Sequence, residues 1–131
     1  MPELFDILTF DQAMVEDIEI TTTEPDWTDL ISLTTPSRDV GLYSLAFSLQ
    51  FTLNSTSQSF IYQFSLDGGA TWVPIYQKEV KDRSNVEVID IINMVRLTAP
   101  GAIDVSCRVT REGSATCEVM KAVITCERKA Q

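Results

Sequence analysis

The chain of 131 residues contains no histidine. That removes the side chain most used as a general base near neutral pH, and the commonest nitrogen ligand of zinc. Cysteine is scarce: Cys107, Cys117 and Cys126 are all there is. An odd count is not a disulfide framework, and these spacings fit no zinc pattern. No apolar run approaches the ~20 residues that a membrane-spanning helix needs. Bases are nearly missing from the first part of the chain. Residues 1–77 hold eleven acids and one base (Arg38), a net of −10, whereas residues 78–131 hold eight acids and nine bases, a net of +1. The total of −9 argues against a nucleic-acid backbone or an anionic membrane as partner. It suits solubility at high abundance, or docking on a basic protein surface. The opening Met1-Pro2-Glu3 has no basic start followed by an apolar run. Synthesis in a cytoplasm, without a secretory leader, is therefore the expectation.

What is present is alternation. Leu45, Phe47, Leu49, Phe51 and Leu53 alternate with Ala46, Ser48, Gln50, Thr52 and Asn54. Ile103, Val105, Cys107 and Val109 do the same, and so do Tyr62, Phe64 and Leu66. Period two is the signature of strands with one face buried and one wet. Further strands are expected around 4–9, 14–23, 28–34, 71–80, 86–97 and 116–126. In 86–97, Ile89, Ile91, Ile92 and Val95 would also fit one helical turn. Turn residues separate these runs at the spacing of a sandwich or barrel. The expected fold is all-β: one domain over 1–131, an antiparallel two-sheet β-sandwich, jelly-roll-like, with about nine strands. Pro74 cannot donate a ladder hydrogen bond, so 71–80 is expected at a sheet edge or bulged. Glu112-Gly113-Ser114 reads as a hairpin joining the last two strands. A bridge between Cys107 and Cys117 on its arms is then conceivable, though free buried thiols are favoured.

The most legible motif is Ser65-Leu66-Asp67-Gly68-Gly69-Ala70-Thr71-Trp72. It is similar to the Asp-box, S-x-D-x-G-x-T-W, of sialidases and related propellers, where it is a structural turn remote from catalysis. Ser65, Asp67, Gly69, Thr71 and Trp72 are the matching positions. The Asp accepts turn hydrogen bonds, the glycines supply unusual backbone angles, and the Trp packs back on the hairpin. A sugar or calcium site is the competing reading. Acidic Glu16, Asp17, Glu19, Asp26 and Asp29 read as a solvated face, because residues alternating along a strand do not converge on one ion. Trp27, Trp72, Tyr43, Tyr62 and Tyr76 could stack on sugar rings, but large aromatics in a sandwich are mostly core. No nucleophile–base constellation or phosphate-binding loop is visible. No enzyme, cofactor or metal is expected.

The acidic N-terminus, the nine-strand pattern, the missing histidine and the hairpin Ser65–Ile75 together make the chain similar to small structural proteins of tailed bacteriophages. That resemblance implies a capsid decoration or cement protein in the virion. It would be a homotrimer on the head lattice whose partners are itself and the major capsid protein. Residues 2–13 are then a candidate arm. Leu4, Phe5, Ile7, Leu8 and Phe10 would pack on a neighbouring subunit or on the domain's own edge. A fibre module or carbohydrate-binding module that recognises a glycan is the alternative.

Overall fold

The computed structural model describes residues 10–21, 26–53, 58–80, 86–111 and 117–130. Eight strands run through them: β1 (Phe10–Ile20), β2 (Thr28–Thr34), β3 (Gly41–Leu53), β4 (Gln58–Ser65), β5 (Val73–Val80), β6 (Glu87–Leu97), β7 (Asp104–Arg111) and β8 (Cys117–Ala130). They form two four-stranded antiparallel sheets, ordered β1-β8-β3-β6 and β2-β7-β4-β5. The two-sheet sandwich expected from alternation is what is found. The ninth expected strand, 4–9, lies outside the described residues. So do Leu4, Phe5, Ile7 and Leu8 of the candidate arm. Phe10 to Ala13 belong to β1 and pair with β8 of their own sheet, Phe10 opposite Glu127 and Ala13 opposite Ile124.

The order has a simple logic. β1 pairs with β8, β2 with β7, β3 with β6 and β4 with β5. The chain is one long antiparallel ribbon, turned back between β4 and β5 and then wrapped on itself. Wrapping adds two closing pairs, β3 with β8 and β4 with β7. That arrangement is a jelly roll.

Burial follows the alternation. Leu45, Phe47, Leu49 and Phe51 of β3 are 1% exposed or less, while Ala46, Ser48 and Gln50 between them are half-buried. Val105, Cys107 and Val109 of β7 point inward in the same way. Rings join the sheets: Phe47 meets Phe64 with centroids 4.9 Å apart, and Phe51 stacks on Phe60 at 4.0 Å. Each such ring contributes about 1.5–3 kcal/mol by leaving water. Within segment 86–97, Glu87–Leu97 is strand, with no helical turn. β5 lies at a sheet edge, and its register with β4 shifts where Gln63 meets Pro74. Both features follow from the missing N–H of Pro74.

One expectation is overturned. β7 and β8 are not the arms of a hairpin, for they lie in different sheets. Glu112-Gly113-Ser114 itself falls outside the described residues. Cys107 sits opposite Ile31 and Phe64, and Cys117 opposite Ile20 and Leu53, so no cross-strand bridge can form between them. All three cysteines are free and buried. Burial pushes the Cys107 and Cys117 thiols up to about 12, and Cys126 up to about 11. Thiolate is the reactive form. The native protein is therefore expected to resist an aromatic disulfide reagent at pH 8, and to take up three labels once unfolded in guanidinium. Prompt labelling of any native thiol would contradict this packing.

Candidate functional site

The 65–72 turn builds a polar cluster from its own hydrogen bonds. Ser65, buried at the end of β4, donates its hydroxyl to Asp67 Oδ1 at 2.7 Å. Its oxygen accepts the Gly69 N–H at 2.9 Å. Asp67 Oδ1 also accepts the Thr71 N–H at 2.8 Å. Gly68 and Gly69 stand at φ 72° and 95°, angles that other residues avoid. Gly69 lies against the Trp72 indole. Asp67 is drawn down to about 2, first by the Ser65 hydroxyl and then by the Thr71 amide and hydroxyl. These bonds favour the carboxylate, so the ordering that Asp67 contributes is complete above its unfolded value of about 3.9. It fades as pH falls through about 2. A carboxyl-detected NMR titration is expected to place the Asp67 midpoint well below that of exposed aspartates. A midpoint near 4 would mean the bonds do not persist in solution.

Trp72 opens onto a second feature. The Arg108 guanidinium lies over the Trp27 ring at 4.0 Å and over the Trp72 ring at 4.0 Å. Its Nε and Nη2 both donate to Gln63 Oε1, at 3.0 and 2.9 Å. Strand register explains the meeting. Asp29, Arg108, Gln63 and Pro74 form one row across β2, β7, β4 and β5, on the outer face of that sheet. Trp27 and Trp72 stand two residues before the ends of that row. Partial burial lowers the Arg108 pKa, which Asp29 counters. The guanidinium stays charged, as a cation between two π faces requires.

Beside the hairpin is a groove of about 560 Å³, on the open side of the sandwich between β1 and β2. Met14, Leu30, Ile31 and Trp72 give it apolar walls, and Asp29, Ser32 and Ser106 its polar groups. No cation lines it. Among the described residues no three acidic or sulfur ligands converge on a point. The groove brings one carboxylate, Asp29, together with the hydroxyls of Ser32 and Ser106 and the thiol of Cys107.

The aromatic candidates divide cleanly. Tyr43 and Tyr62 are core residues, 1% and 0% exposed. Trp27 and Trp72 are half-buried, each with a face on Arg108. The side chain of Tyr76 lies outside the described residues. Arg108 and Gln63 were not singled out by sequence. Their only signal was their outward position in an alternating strand, which many surface residues share. Phe10, the one described residue of the five candidate contacts, is 55% exposed.

The fold and its surface define an all-β jelly-roll domain. No known family profile matches the sequence, and no curated protein is significantly similar to it. Solved structures do resemble it in shape. A chain of infectious bursal disease virus, Gx strain, superposes with a TM-score of 0.64 at 8% identity, covering 91% of this chain and 32% of that one. The Gt strain gives 0.63 at 9% identity, covering 91% and 33%. The T13 viral particle of the same virus gives 0.59 at 10% identity, covering 93% and 36%. This chain thus spans about a third of the viral chains it resembles. At such identities the likeness is one of fold.

Proposed function

We propose that this protein is a non-enzymatic structural component of a virus particle that acts through protein–protein contacts. The observation that carries the reading is the ribbon-wrapped strand order, together with its likeness to virus-particle chains over nine-tenths of its length. The absence of histidine removes the commonest general base and fits a role in contacts rather than chemistry. The finer reading is a self-associating capsid decoration protein on a bacteriophage head, a clamp between capsomers with the major capsid protein as its partner. The strong acidity of residues 1–77 suits a basic lattice surface, and such docking weakens as salt rises. The glycan-binding alternative draws little support, because Trp27 and Trp72 stack on Arg108 and two of the three tyrosines are core.

The test is direct. Particles are purified from a culture whose virus encodes this chain, and their proteins are counted by mass spectrometry. Antibody raised against the recombinant protein then locates it by electron microscopy. Many copies per particle with label on the head surface are expected. Absence from purified particles would overturn the virion reading, and label confined to the tail would overturn the decoration reading.

A further inference from the structure

Among the described residues four strands lie at sheet edges: β1 and β6 in one sheet, β2 and β5 in the other. An edge strand offers unpaired N–H and C=O groups to any other strand, and proteins blunt such edges with bulges, prolines or charge. Three of the four are blunted here. The β1 ladder passes over Asp17, which stands at φ 55°. The β2 register shifts between Asp29 and Ile31. β5 carries Pro74 and a shift opposite it. β6 has neither bulge nor proline, and its charges, Glu87, Asp90 and Arg96, are of both signs. Its eleven residues run in unbroken register with β3 and include no proline, glycine or lysine. It also exposes apolar side chains on both faces. Ile92 is 69% exposed and Val88 58% on the outer face, and Ile91 is 40% exposed on the other.

The sequence of β6 says what would cover this edge. From Ile89 to Leu97 its pattern of apolar and charged positions is symmetric about Asn93. Ile92 mirrors Met94, Ile91 mirrors Val95, and Ile89 mirrors Leu97, apolar for apolar. Asp90 mirrors Arg96, acid for base. Two copies paired antiparallel about a two-fold axis at Asn93 would set these mirror partners directly opposite one another. Each pair is separated by an even number of positions, so both members stand on the same face of the sheet. Asp90 of each copy then faces Arg96 of the other, and Ile92 faces Met94 beside it. An unrelated strand would have no need of that symmetry.

We propose that β6 is a self-association edge, through which two copies join their four-stranded sheets into one of eight strands, held in register by two Asp90–Arg96 pairs. The inference concerns the free protein and does not depend on the virion reading. A dimer that proved absent from virus particles would overturn that reading and leave this one standing.

The experiment is sedimentation equilibrium of the full chain over a range of concentrations. Wild type is expected as a dimer. Asp90→Arg alone and Arg96→Asp alone each set like charges opposite in two places, and are expected to weaken the dimer about tenfold. The double variant, D90R with R96D, restores opposite charges in swapped positions and is expected to restore the dimer. Circular dichroism and thermal melts check that each variant folds, and the double variant covers any single one that does not. A monomer at all concentrations would overturn the proposal. So would any oligomer, dimer or trimer, whose stability ignores the single reversals, or a double variant no better than its parents.

Discussion

Phe47→Ala is expected to destabilise the protein by about 3–5 kcal/mol, the range for removing a large ring from a packed core. Phe47 is 1% exposed on β3 and meets Phe64 of β4 across the sandwich. Its loss removes contact between the two sheets, not merely within one. A domain of this size has roughly 5–15 kcal/mol in all, so the variant should unfold at much lower denaturant. Urea titration followed by tryptophan fluorescence measures it, with the slope m unchanged if the transition stays two-state. Ser48→Ala, the next position on the outer face, serves as control and is expected within ~0.5 kcal/mol of wild type. A loss below about 1 kcal/mol for Phe47→Ala would mean that the inter-sheet contact is not formed in solution.

Arg108→Ala is expected to cost about 2–3 kcal/mol, since it removes two cation–π contacts and leaves Gln63 without its charged donor. The chemistry is particular to arginine. Lysine keeps the charge but loses the planar fork that reaches Gln63 Oε1 through Nε and Nη2 while lying between the rings of Trp27 and Trp72. Arg108→Lys should therefore recover less than half of the loss. Because both tryptophans of the chain flank Arg108, the native emission spectrum should shift in both variants. A spectrum and stability equal to wild type in Arg108→Ala would dissolve the stack as a feature of the protein.

The local rules of strands made much of this fold legible. In β3 and β7 each residue's side follows from its neighbours, so Phe47 and Val105 could be assigned to the core without knowing any partner. Pro74 announced an edge because a missing N–H is a property of one residue. The Ser65–Trp72 turn closes within itself, through bonds spanning four residues or fewer. Sheet membership is different. Glu112-Gly113-Ser114 looks like a hairpin turn, yet β7 and β8 take their partners from distant strands and part company. Arg108 meets Trp27 and Trp72 only because register places four strands side by side. The doubt over 86–97 had a physical origin as well. Ile91 and Ile92 are adjacent and both apolar, which breaks alternation; an edge strand exposed on both faces produces that pattern.

The ribbon order also governs when this protein can fold. β8 lies between β1 and β3, so β1 has no partner in its sheet until β8 has been made. Phe10 finds its place opposite Glu127, nearly the whole described chain away. Folds dominated by such distant pairings are slow, reaching the native state in milliseconds to seconds. A nascent chain would wait on the ribosome with Leu45, Phe47, Leu49 and Phe51 unsheltered, and chaperones meet substrates in that interval. Yield in a host should thus depend on the tempo of translation and on chaperone supply as much as on the stability of the finished sandwich.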